Sequence, residues 1–242
     1  MNDLKKFVFS CLILFFGLAT TSSAQSLNRF IDQANAFFHT YVQNGTVDYQ
    51  AIKQHPDTLN QLVKAIGSMP INRISRRRRK AFYINAYNIL VIHSIIKHGI
   101  PPSPKRIDGF FDQIKHKIGG DKLTLDQIEK DRLLQPYQDP RLHFALVCGA
   151  VSCPPLRPYA FTPGQLNMQL TMATRTTLNS NFIRLNRKQK NVKISEIFKW
   201  YKSYFLKHHK SLIAFINKYR KQKIPVNYTV TYYKYNWELN SR

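Results

Sequence analysis

"AFYINAYNILVIHSIIKHG", residues 81–99, is the stretch on which the fold turns. Apolar side chains occupy nearly every direction around it, so it reads as a central helix covered by protein on most sides. Gly99 ends it, and prolines follow at 101 and 102. The run is too short for a membrane span, and Asn85 and Asn88 interrupt it. Those two asparagines are three apart and share one face of the helix. A buried amide left unpaired costs about 1–3 kcal/mol. They either tie the helix to a neighbouring loop, or one of them orients a catalytic group or donates to an oxyanion.

Outward from that helix, the spacing of Leu27, Phe30, Ile31, Ala34, Phe37, Phe38, Tyr41 and Val42 predicts a helix with one buried stripe, ended by Asn44-Gly45. A short extended link follows. A second helix is expected after His55-Pro56, with Leu59, Leu62, Val63 and Ile66 inward. The run "SRRRRK" at 75–80 precedes the central helix and reads as a solvated basic face. Beyond the helix, Gly119-Gly120 marks a turn. Thr124 and Gln127 have the spacing of a capping box, opening a helix that carries Ile128, Glu129 and Leu133. Asp139-Pro140 is a turn, and the continuous apolar run 142–148 predicts a strand buried on both faces. Thr162-Pro163 opens another helix. "NVKI" (191–194) reads as a strand, Ser195 and Ser211 as helix caps, and the alternating aromatic and β-branched end as a strand or hairpin arm. The sum is an α+β fold, a helix-rich single domain with a small, mainly antiparallel sheet.

Residues 1–24 carry two lysines, an apolar core from Phe7 to Leu18 and a small-residue exit at Ser22-Ser23-Ala24, the layout of a cleaved signal peptide. The expected mature chain, 25–242, is therefore exported, to a periplasm or the outside. It keeps only Cys148 and Cys153, in surroundings where disulfides persist. Lys and Arg outnumber Asp and Glu 37 to 13 in the whole chain. Such a surface attracts anions, and the expected partner is a small molecule, a peptide, or an anionic polymer or acidic protein. A basic run leading into a helix of an exported chain argues against nucleic acid.

"HFALVCGAVSCPPLR", residues 143–157, carries the candidate chemistry. On a straight strand, His143 and Cys148 would stand roughly 17 Å apart on opposite faces. A turn through Gly149 and Ala150 instead brings Cys153 back toward His143. The imidazole could then take the thiol proton, making Cys153 a thiolate nucleophile, with Glu129, Asn85 or Asn88 orienting the ring. His93 is the next candidate base. Two other readings stand beside that one: a Cys148–Cys153 disulfide across a short loop, and two inert buried thiols. The spacing is not that of a zinc site, and no metal or cofactor is expected.

Four stretches, "AFYINAYN" (81–88), "IGGDKLTLDQIE" (118–129), "DPRLHFALVCGAVSCPPLR" (139–157) and "YKYNWELN" (233–240), resemble the DUF547 family, a domain of unknown function. The resemblance spans about 47–240, and exported members are common. It implies a single domain with polar positions at Asn85, Asn88, Glu129, His143, Cys148, Ser152, Cys153 and Arg157. The family usually has histidine after the "IE" pair, where this chain has Lys130; if that histidine takes part in chemistry, activity here is in question. Two functions follow as expectations. One is a cysteine-dependent hydrolase or acyl transferase acting on an amide or ester: Cys153 attacks, His143 is the base, Glu129 or an asparagine orients it, and Ser152 and Arg157 hold substrate, Arg157 through a carboxylate. The other is a non-catalytic basic domain binding an anionic polymer or protein, with Cys148–Cys153 a structural disulfide.

Overall fold

Helical spacing is realised first over 24–41 (α1), which buries Leu27, Phe30, Ala34, Phe37 and Phe38. The structure is a computed structural model describing residues 24–242, so the expected leader, apart from Ala24, lies outside the described residues. Asn44 and Gly45 both adopt positive φ. They close a small antiparallel hairpin of Val42–Gln43 (β1) and Thr46–Val47 (β2) where a plain link was expected. Gly45 is required by close approach, because an added Cβ would lie 2.6 Å from Pro155 Cβ. Asp48 caps the short helix Tyr49–Gln54 (α2) by accepting the Ala51 N–H, and Asp57–Ser68 (α3) follows as predicted.

The central helix is Arg76–Lys97 (α4), fully buried over most of its length. It starts earlier than its apolar run, since Ser75 accepts the Arg78 N–H and the basic residues form the first turn. Cations at a helix N-terminus oppose the helix dipole. The chain offsets this by binding several of them, so the run is not simply a solvated face. Arg76 donates to the Pro136 carbonyl, Arg77 donates to Gly164 O at 2.8 Å, and Lys80 pairs with Asp139 at 2.7 Å. Among the described residues no helix is long and apolar enough to cross a membrane.

His116–Ile118 (β3) and Asp121–Leu123 (β4) pair antiparallel around Gly119-Gly120. The capping box forms as expected between Thr124 and Gln127 on Leu125–Gln127 (α5). The helix does not continue as α. Ile128–Leu134, which carries Glu129, is π-helical, and Gln135–Tyr137 (α6) resumes the α form. Such widened turns are frequent at functional sites.

The strand expected at 142–148 is absent. Pro140–Phe144 is a 3-10 helix, begun by the Asp139 carboxylate accepting the Arg141 N–H, and the chain then runs irregularly to 165. The segment is buried as predicted, but a side chain replaces the neighbouring strand. Asn88 donates to Ala145 O at 2.9 Å and accepts from Val147 N–H at 2.9 Å. Asn85 does the same for Phe161, at 2.8 and 2.9 Å. A continuous apolar run shows burial on all sides; it does not distinguish a strand from a coil whose peptide groups are satisfied by amides.

Leu166–Leu178 (α7) leads to a three-stranded sheet of Ile183–Asn186 (β5), Asn191–Ser195 (β6) and Thr229–Tyr233 (β7). The β5–β6 pairing is antiparallel and β6–β7 parallel. Between β6 and β7 stand Ile197–Trp200 (α8), Lys202–Leu206 (α9) and Leu212–Tyr219 (α10), the last capped by Ser211. The fold is therefore α+β and helix-rich, with small and mainly antiparallel sheets. Phe144, Phe198, Phe205 and Phe215 interlock at ring separations of 4.7–6.3 Å and join the final helices to the 3-10 segment. After β7 the chain leaves the sheet and laces the cysteine loop.

Candidate functional site

The loop after Val147 turns at Gly149, whose φ is +83°. An added Cβ there would meet Ile95 Cδ1 at 2.7 Å. Gly149→Ala is thus expected to cost about 2 kcal/mol, from positive φ and crowding together, as a lower urea midpoint with unchanged slope. The C-terminal segment holds the same loop through peptide groups. Val151 N–H donates to Glu238 O at 2.8 Å, Asn240 N–H to Gly149 O at 3.0 Å, and Ser152 N–H to Asn236 O at 3.1 Å.

This turn carries Cys153 back to Cys148, and the two form a disulfide with Cα atoms 6.4 Å apart. The Cys153 sulfur is surrounded by donors: the Cys148 N–H at 3.1 Å, the Ala150 N–H at 3.3 Å and the Tyr235 hydroxyl at 3.1 Å. Tyr235 Oη is also 3.2 Å from Cys148 Sγ. Burial raises the Tyr235 phenol well above its ordinary pKa, so it stays a proton donor.

Both sulfurs line a cavity of about 570 Å³, shared with Glu129 and His143. The Glu129 carboxyl accepts a hydrogen bond from Tyr201 Oη at 2.7 Å and a long one from Tyr87 Oη at 3.5 Å. Glu129 is half-buried in the cavity wall. Burial therefore pushes its pKa up, and the Tyr201 bond only partly opposes this. His143 stacks on Tyr201 with centroids 4.1 Å apart and touches Phe205 at 5.1 Å. Burial lowers its pKa to about 3, against the pull of Asp139, so the ring is neutral at physiological pH. Its Nε2 is buried and has no hydrogen-bond partner among the described residues.

The site residues named from sequence separate in space. Cys148, Cys153, His143 and Glu129 converge on the cavity, because the 3-10 turn shortens the path that a strand would have stretched. Asn85 and Asn88 do not line it, their amides being taken by the loop bonds above. Ser152 Oγ accepts the Asn236 N–H at 2.8 Å, and Arg157 donates to Ala173 O at 3.0 Å, its buried Nε having no partner among the described residues. Neither is among the cavity residues, nor is His93. Lys130 is exposed and pairs with Asp126 at 2.5 Å. No hydrogen bond joins His143 to Cys153 or Glu129 among the described residues. Nor do three His, Cys, Asp or Glu side chains there form a group able to hold a metal.

Much of the wall escaped the sequence reading. Tyr235 and Trp237 come from the alternating end, and their period-two spacing could have flagged a shared face. Trp200 and Tyr201, on or just after α8, had no signal separating them from core aromatics.

Residues 71–178 match the family model DUF547, "Protein of unknown function". No curated protein and no solved structure matches the chain. The matched stretch supplies Tyr87, Glu129, His143 and both cysteines. The aromatic half of the cavity, including Trp200, Tyr201, Tyr235 and Trp237, lies beyond the matched residues.

Proposed function

We propose that this protein is a thiol–disulfide exchange enzyme whose reactive element is the Cys148–Cys153 bridge. The supporting observation is the set of two N–H groups and one phenol aimed at the Cys153 sulfur on a cavity wall. A purely structural bridge needs no such donors, whereas a departing thiolate is stabilised by them. An incoming substrate thiolate attacks Sγ of Cys148, the less buried of the two cysteines. The S–S bond breaks, its electron pair leaves on Cys153 Sγ, and substrate stays joined to Cys148 as a mixed disulfide. A second substrate thiolate attacks the substrate sulfur of that mixed disulfide. Oxidised substrate departs and Cys148 leaves as thiolate, so two substrate thiols have become a disulfide and the bridge a dithiol, which the same exchange run in reverse with a second, more oxidising disulfide returns to the bridge.

Hydrolase or acyl-transferase chemistry at Cys153 would need that sulfur free and a base beside it. The bridge occupies the sulfur, and His143 is not bonded to it, so exchange is the better reading. An oxidising compartment, in keeping with the leader-like N-terminus, suits a protein that starts bridged.

The test is native-state reduction. The folded protein is equilibrated with millimolar glutathione, quenched with iodoacetamide across pH 5–9 and read by intact mass. Opening without denaturation is expected, with Cys153 alkylated at lower pH than Cys148. Tyr235→Phe is expected to shift the Cys153 midpoint up by about one pH unit, the worth of a charge-assisted bond of about 1.5 kcal/mol. A bridge that opens only in denaturant would sink the proposal. The chain would then read as a stapled binding domain.

A further inference from the structure

We propose that the cavity binds the primary ammonium group of an organic amine, seated between its tryptophans and its carboxylates. This rests on the reading of the cavity as a substrate site, but not on the bridge opening.

Charge distribution points there first. The chain has 37 Lys and Arg against only 13 Asp and Glu, yet three of those acids, Asp112, Asp126 and Glu129, line this one cavity. Among the described residues Lys105 is the single Lys or Arg that lines it. Asp126 is engaged by Lys130. Glu129 has only phenols as partners, and neither it nor Asp112 forms an ion pair among the described residues. A surface this basic repels amines nearly everywhere, so an acidic recess in it is selective by contrast.

The aromatic wall is the second, independent observation. Trp200 and Trp237 stack at 6.1 Å and 24°, with Tyr235 at 4.7–5.0 Å from both. Trp200 is 47% exposed, unusual for so large an apolar group. The protein's own ammonium already uses this wall: Lys105 Nζ lies 4.4 Å from the Trp237 ring centre. Indole faces attract cations, most strongly where water is excluded. The third observation is His143, a residue of the same cavity wall whose buried Nε2 has no partner among the described residues. A primary ammonium has three N–H donors. Carboxylates and an imidazole nitrogen can receive them, whereas a quaternary ammonium would leave them unbonded.

Both tryptophans of the chain belong to this wall, so intrinsic tryptophan emission reports on the cavity alone. The bridged protein is titrated with n-butylammonium, n-butanol and n-butyrate at constant ionic strength. Expected is a saturable emission change with n-butylammonium, at a Kd at least ten-fold below that for n-butanol, and none with n-butyrate. Glu129→Gln should weaken the ammonium at least ten-fold. Asp112→Asn, at an exposed position, should weaken it about three-fold. Equal response to amine and alcohol, preference for butyrate, or no saturable response would each overturn the assignment. Because no thiol is involved, such a failure leaves the exchange reaction to be judged by its own assay.

Discussion

Asn88→Ala is expected to destabilise the protein by about 4 kcal/mol and to lower Tm by on the order of 10 °C. Asn88 lies buried in α4 and makes both bonds that the 145–147 backbone would otherwise take from a neighbouring strand. Truncation leaves a carbonyl and an N–H buried and unpaired, at about 1–3 kcal/mol each, and opens a small void. The matched comparison is Asn35→Ala. Asn35 also binds a loop peptide, accepting from Ala160 N–H at 3.1 Å, but it is exposed, so water replaces it and the loss stays near 1 kcal/mol. Calorimetry on the pair decides the matter. If Asn88→Ala melts within two degrees of the parent, water enters the segment and the amide is not its structural partner. The bridge and the cavity wall follow directly from residues 145–147, so native-state reduction should become faster in this variant.

Stability is expected to fall steeply on acidification between about pH 6.5 and pH 4. His143 and His116 are buried, and burial lowers their pKa values to about 3 and about 4. His93 and Lys97 add to the lowering at His116. Each group binds its proton near pH 6.5 when unfolded and resists it when folded. The unfolded state therefore holds more protons throughout that window, and each histidine removes about 1.4 kcal/mol of stability per pH unit. Over 2.5 units, with the slope reduced where a group is half-protonated at either end, the two together remove about 5.5 kcal/mol. Glu129 acts in the opposite sense. Its pKa is raised, so the stability tied to it is present at low pH and lost as pH rises through the folded value. Asp139, lowered to about 2 by Arg141 and Lys80 against its own burial, contributes only below the window, where its stability is lost as pH falls. Urea midpoints at half-unit steps measure the slope. His143→Phe, which fits the aromatic surround of Tyr201 and Phe205, should remove about half of it. A flat profile from pH 6.5 to 4.5 would mean that the imidazoles are hydrated.

The helices were legible because helical spacing repeats locally. Leu59, Leu62 and Ile66 point α3 inward, and Thr124 with Gln127 closes its capping box within four residues. The 142–148 run was misread because apolarity reports burial and carries no record of what satisfies the peptide groups. That role fell to Asn88, far away in sequence and sharing its face with Asn85. The π-helical widening at Ile128–Leu134 had no local signature either.

The sequence by itself determined the helix-rich class, the burial of α4, the pairing options of two cysteines and the excess of positive charge, since each depends on composition or short-range spacing. Only the tertiary structure decided which polar residues meet. Asn85 and Asn88 went to loop peptides, while Glu129, His143, Cys148 and Cys153 went to one cavity. Trp200, Tyr201, Tyr235 and Trp237 then completed it from beyond α7. Convergence of side chains so far apart along the chain follows from the packing of a whole core, in which the Phe144–Phe198–Phe205–Phe215 cluster places the final helices against the 3-10 segment. No window of sequence contains that packing.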